Sequence, residues 1–130
     1  MVIREMKALD IPNMQMEQRH CYTLFTGFFE HKKFISYVTI DQDCLVGALS
    51  AHEKIRWNND EVFIEEMFVI PNRQSPGIGT KILGEVQKYV QHKRLAGITL
   101  ATNKYAPVLR LYEKNGFIIC EHVQFMGKEM

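Results

Sequence analysis

Charge of one sign, paired cysteines and long apolar runs are all missing from this sequence. Sixteen Lys and Arg stand against 15 Asp and Glu, a net charge of +1, so no bulk field draws the chain to nucleic acid or anionic lipid. Neither is expected as a partner. The three cysteines, Cys21, Cys44 and Cys120, form no Cys-x-x-Cys. The five histidines, His20, His31, His52, His92 and His122, show no zinc-type spacing to them or to each other. No metal site is expected. An odd cysteine count at wide spacing reads as reduced thiols, which suits a cytoplasmic protein. No apolar run approaches the ~20 residues of a membrane helix. Arg4, Glu5 and Lys7 put charge where a signal peptide needs apolar residues. Internal repeats, low-complexity tracts and linkers are absent as well.

What is present suits one domain over residues 1–130. At 46% apolar and 24% charged, the chain can bury a core and is too apolar for disorder. A short strand is expected at 2–6, then a turn at Asp10-Ile11-Pro12. Met14, Gln18, Cys21, Tyr22, Phe25 and Phe28 recur at roughly helical spacing over 12–29, with Asp10 as candidate cap and Pro12 in the first turn. The β-branched and aromatic runs 34–40 and 44–50 flank Asp41-Gln42-Asp43 and read as a hairpin. A third long strand runs from Val62 to Ile70. From Gly79 to Arg94 the residues Ile82, Leu83, Val86, Tyr89 and Val90 make one apolar helical face, with Lys93 and Arg94 in the last turn and Gly97 as the stop. A strand at 98–102 and a short helix at 107–115 capped by Gly116 follow, then strands at 117–120 and 123–128. The order β-α-β-β-β-α-β-α-β-β predicts an α/β fold of the α+β type, with a mixed sheet and helices on its faces.

The informative stretch is Gln74-Ser75-Pro76-Gly77-Ile78-Gly79-Thr80, between a strand and a helix. A helix start offers unpaired N–H groups to a phosphate, and glycine lets the backbone come close. A tight turn with no ligand is the plain alternative. Two familiar phosphate loops fail here. A Walker loop would need Gly-Lys-Ser/Thr beginning at position 82, and a dinucleotide fingerprint would need a third glycine there, yet residue 82 is Ile.

With Val69-Ile70-Pro71 ahead of it, the loop resembles the coenzyme A signature Gln/Arg-x-x-Gly-x-Gly/Ala of the GNAT family of N-acetyltransferases. A second signature of that family, Leu-Tyr-x-x-x-Gly-Phe, stands at Leu111 to Phe117. The resemblance is firm from Phe63 to Phe117. It implies a GNAT-like acyl-CoA N-acyltransferase fold and acetyl-CoA as cosubstrate. The pyrophosphate would lie on the N–H groups of residues 75 to 80 (Ser75, Gly77, Ile78, Gly79 and Thr80), with Gln74 opening the cofactor-binding signature, and the pantetheine along Met67, Phe68 and Val69. Pro76 offers no N–H to that set. Many members carry Asn seven residues before the tyrosine; Tyr105 stands there, and Asn103, two residues earlier, is the candidate for that contact.

Transfer to an amine needs loss of the amine's proton, polarisation of the thioester carbonyl, and a proton or hydrogen bond for the departing thiolate. Tyr112 matches the family's general acid; by itself, among Val108, Leu109 and Leu111, it also reads as a core tyrosine. Glu65 and Glu66 interrupt an otherwise apolar strand, and buried carboxylates are costly unless paired or solvated. Strict alternation would turn only one of them to a given cleft, grouping Glu65 with Met67 and Val69, and Glu66 with Phe68 and Ile70. The segment resembles the Glu-Asp-x-Phe-Val strand of polyamine and some aminoglycoside acetyltransferases, which makes Glu65 the base, acting through water, and Glu66 an amine-binding carboxylate. A pairing of either with Lys or Arg at a sheet rim is the structural reading. Cys/His chemistry at His20-Cys21 or Cys120 and His122 finds no further support.

The expected function is transfer of the acetyl group of acetyl-CoA to a primary amine of a small cationic acceptor, by direct attack in a ternary complex. The alternatives are a non-catalytic acyl-CoA-binding or regulatory module on the same fold, and a protein or peptide N-acetyltransferase. A homodimer is compatible with either. The short segment 7–33 suggests an open acceptor side.

Overall fold

A computed structural model describes residues 1–13, 34–55, 59–71 and 77–130. Most of the helix expected over 12–29, together with His20, Cys21, Gln74 and Ser75, lies outside the described residues. The elements are β1 (Val2–Glu5), a 3-10 helix (Ala8–Asn13), β2 (Phe34–Asp41), β3 (Cys44–Lys54), β4 (Glu61–Val69), α1 (Ile78–Lys93), β5 (Ile98–Leu100) and α2 (Val108–Lys114). One five-stranded sheet has the order β1-β2-β3-β4-β5. The first four strands pair antiparallel, and β5 joins β4 in parallel. The mixed sheet is as the sequence predicts.

The β2–β3 hairpin turns on Gln42 and Asp43, both with positive φ (50° and 63°). Two left-handed residues give a turn whose twist matches that of the strands. The apolar stripe of α1 (Ile78, Ile82, Leu83, Val86, Val90) packs on Leu49, Ala51, Val62 and Ile64 of the sheet. Each such side chain withdrawn from water contributes about 1.5–3 kcal/mol. On the opposite face a smaller cluster joins Met6, Ile11, Val38, Leu45 and Ala48. Asp10 is buried beside β1. Its carboxylate takes both guanidinium arms of Arg4 at 2.7 and 2.8 Å and the Lys7 N–H at 2.7 Å, tying β1 to the 3-10 helix.

Two sequence expectations are corrected. The stop of α1 is Arg94, not Gly97: Arg94 takes the left-handed conformation (φ 57°), and the Leu95 N–H reaches back to the Val90 carbonyl at 3.0 Å. The amphipathic stripe ends at Val90, so the chain must turn there even without a glycine. The strands expected at 117–120 and 123–128 do not form. Gly116 is left-handed as expected (φ 90°), and Phe117 packs edge-on against Tyr112. Beyond it, Ile118, Ile119, Val123, Phe125 and Met126 stay exposed, and the segment joins no ladder of the sheet. Apolar, β-branched residues make a strand only against a partner edge.

Candidate active site

The parallel ladder between β4 and β5 is short: Val62↔Ile98, Phe63↔Thr99 and Ile64↔Leu100. The Thr99 hydroxyl bonds to Glu61 at 3.1 Å and the Val62 N–H to the Gly97 carbonyl at 3.0 Å, pinning the strands together at that end. Past Ile64 the ladder stops and a cleft of about 630 Å³ opens. One wall is β4 from Ile64 to Val69, the other Leu100, Ala101 and Thr102; Gly77, Gly79 and Thr80 at the start of α1 form the rim, and Leu111, Tyr112 and Lys114 of α2 the far side.

A bulge shapes this cleft. Ser50 faces Glu66 and the next residue, Ala51, faces Ile64, so Glu65 is an extra residue in β4. The inserted residue breaks alternation. Met67 and Val69 therefore pack with the α1 core alongside Val62 and Ile64, while Phe68 joins the opposite cluster. Strict alternation would group Met67 and Val69 with Glu65 and turn only one glutamate to the cleft. Both Glu65 and Glu66 line it.

The two carboxylates have different neighbours. Glu65 Oε1 lies 2.7 Å from Nδ1 of His52 on β3. Glu66 lies close enough to Tyr112 for its charge to act there. Tyr112 is buried in α2 at 7% exposure, and burial first, then the Glu66 charge, pushes its hydroxyl up to about 12. It thus stays a proton carrier throughout neutral pH. Across the rim, Asn115 Nδ2 donates to Thr80 Oγ1 at 3.2 Å, locking the end of α2 to the start of α1.

The predicted cofactor residues divide. Met67, Phe68, Val69, Gly77, Gly79 and Thr80 line the cleft. Ile78 is buried in the core and is not part of the lining. Gln74 and Ser75 lie outside the described residues. Asn103 is not part of the lining, and its Oδ1 is taken by the N–H of Tyr105 at 2.8 Å in a local turn. A Cβ built on left-handed Gly77 (φ 79°) would meet none of the described residues within 4 Å. Together with the first-turn N–H groups of α1 and the strand wall past Ile64, the residues present fit acetyl-CoA. Among the described residues no group of three or more His, Cys, Asp or Glu could hold a metal, and no helix is long and apolar enough to cross a membrane.

The sequence reading missed two polar residues. His52 is one of five histidines without a spacing signal; its 2.7 Å contact with Glu65 follows from a bulged cross-strand register that no local pattern encodes. Lys114 occupies one of the unspecified positions between Tyr112 and Gly116 and brings a cation to the cleft. Cys44 and Cys120 are free and exposed.

Comparison with known proteins agrees with this geometry. The sequence model of the Acetyltransferase (GNAT) family matches residues 3–117. No curated protein matches the chain. Among solved structures, the aminoglycoside N-acetyltransferase AAC(6')-Iy in complex with CoA is 18% identical, covers 99% of this chain and 100% of its own, and superposes with a TM-score of 0.81. An acetyltransferase from Trypanosoma brucei gives 17%, 99%, 99% and 0.80 in the same order. The aminoglycoside antibiotic 6'-N-acetyltransferase AAC(6')-IG from Acinetobacter haemolyticus gives 14%, 100%, 99% and 0.76.

Proposed function

The chain belongs to the Acetyltransferase (GNAT) family and is an acetyl-CoA-dependent N-acetyltransferase, and from that premise we propose that its acceptor is the primary amine of a small cationic molecule of polyamine or amino-sugar type. The observation that carries this reading is the convergence of Glu65, Glu66 and Tyr112 on one cleft where β4 leaves β5. Similarity to aminoglycoside N-acetyltransferases points the same way.

Acetyl-CoA supplies an activated thioester; the chain supplies charge and protons. Glu66 attracts the ammonium group. At 4 Å and an effective dielectric near 20, a unit pair is worth about 4 kcal/mol before desolvation. Glu65 takes the amine's proton, directly or through one water, so that the lone pair attacks the thioester carbonyl. Tyr112 faces the departing sulfur. A thiol near ~8.5 is a stronger acid than a phenol held at about 12. Complete proton transfer is therefore uphill by roughly 5 kcal/mol, and Tyr112 acts first as a hydrogen-bond donor to the sulfur as it gains charge.

The test is release of free thiol from acetyl-CoA with spermidine, an aminoglycoside and a short peptide as acceptors, for the wild type, Glu65→Gln and Glu66→Gln. The expected result is turnover of a polyamine or amino sugar, lowered by either substitution. Preference for the peptide would reassign the acceptor. Wild-type rates from both variants on the preferred amine across pH 6–9 would make the glutamates structural.

A further inference from the structure

The carboxylate read above as the base is held by a residue with no role so far. His52 sits on β3 directly opposite Phe63 of β4, two residues before Glu65. Its Nδ1 is 2.7 Å from Glu65 Oε1, and its ring lies tilted against Phe63 at 5.8 Å. Phe63 is in turn covered by the ammonium of Lys54, 4.9 Å from its ring centre.

We propose that His52 is the positioning residue of the acceptor-side carboxylate: its Nδ1–H fixes one oxygen of Glu65 and leaves the other oxygen to receive the amine's proton. This rests on the reading of Glu65 as the base. The physical need is specific to a bulge. A glutamate has three rotatable bonds, and as the extra residue of β4 Glu65 has no register partner to pack against. Without an anchor it would sample rotamers that withdraw its carboxylate from the cleft. A donor on the neighbouring strand, with its own ring packed against an aromatic side chain, removes that freedom. Donation across this contact requires the proton on Nδ1, which the Nδ1–H tautomer of neutral imidazole and the protonated ring both supply.

A purely structural pair is the competing account, and exposure weighs against it. The His52 and Glu65 side chains are 33% and 27% exposed, and pairs open to water add only about 0–1 kcal/mol to stability. The arrangement contributes little to folding, whereas a misplaced base costs rate steeply.

The test compares His52→Leu, His52→Asn and Glu65→Gln, singly and as His52→Leu with Glu65→Gln, in steady-state kinetics below each variant's melting onset. Asparagine can return an N–H close to where Nδ1 stood. His52→Leu should lower kcat/KM for the amine by roughly 10- to 100-fold and leave the KM for acetyl-CoA unchanged. His52→Asn should recover most of that loss, and the double variant should be no worse than Glu65→Gln alone. An impaired Glu65→Gln beside a wild-type His52→Leu would overturn the positioning role. So would His52→Asn failing to rescue, or losses that simply add. A wild-type Glu65→Gln would instead overturn the reading of Glu65 as base.

Discussion

Gly79 and Leu111 are in contact across the α1–α2 junction: a Cβ on Gly79 would sit 2.7 Å from Leu111 Cδ2. The sequence suggests that this glycine is there to admit a pyrophosphate. The structure gives it a second duty, which is to let α2, and Tyr112 with it, lie close to the start of α1. Gly79→Ala should be nearly neutral, since Leu111 can swing its terminal methyl aside and alanine recovers about 0.5–1 kcal/mol of helix propensity. Gly79→Val should overpack the junction at about 1–3 kcal/mol and weaken acetyl-CoA binding. If packing is the cause, Leu111→Ala added to Gly79→Val should restore part of the stability in urea melts. Strictly additive losses would leave the ligand-side explanation alone.

Arg94 holds a left-handed conformation that an L-residue adopts at a cost, at the end of α1. Arg94→Gly should raise stability by about 0.5–1 kcal/mol, since glycine removes the strain but adds disorder to the unfolded chain. Lys93 keeps a cation near the helix end. A melting temperature at or below that of the wild type would show that the Arg94 side chain contributes more than its backbone costs.

Two glycines are readable in this sequence because a positive φ favours glycine, whereas Gly97 misleads and Arg94 takes a positive φ with no such signature. Gly77 and Gly116 both carry it, at 79° and 90°. The bulge at Glu65 leaves none. No glycine marks it, and it shows only in the register against β3, where Ser50 meets Glu66 and Ala51 meets Ile64. One inserted residue reversed the facing of Met67, Phe68 and Val69, and gave Glu65 its partner on another strand. The tail failed for a different reason. Ile118, Ile119 and Val123 have the composition of strands, but strand formation depends on an available edge, which composition does not report.

The Arg4–Asp10 pair should make β1 docking sensitive to acid. The hydrogen bonds from Arg4, with help from the Lys7 N–H, hold the Asp10 carboxyl below its ordinary value of 3.8, against the opposing effect of burial. A depressed carboxyl stabilises the fold above its unfolded value, and that contribution is lost as pH falls through the folded value. Asp10→Asn should therefore be less stable than wild type at pH 7, with the gap narrowing as pH drops below about 4. Urea unfolding at pH 7, 5 and 3 measures it. A gap independent of pH would mean that the carboxylate's charge is not what ties β1 to the 3-10 helix.

Tyr112 gives the sharpest separation of chemistry from packing. It is buried against Phe117, ring centres 5.5 Å apart, so phenylalanine can keep the contact while losing the hydroxyl. Tyr112→Phe should retain acetyl-CoA affinity and fold normally, while turnover falls by about 10²–10⁴-fold if donation to the sulfur limits the rate. The pH profile supplies the second arm. With the hydroxyl raised to about 12 by burial and by Glu66, the neutral donor is intact below pH 10 and is lost only as pH climbs towards that value. Wild-type kcat should thus show no descending limb from this group up to pH 10. Glu66→Gln removes the smaller of the two causes, so the phenol should ionise at lower pH. The difference in tyrosinate absorbance between Glu66→Gln and the same variant carrying Tyr112→Phe reads that shift directly. An unshifted phenol would mean that Glu66 does not act on Tyr112, and equal turnover by Tyr112→Phe would return the residue to the core.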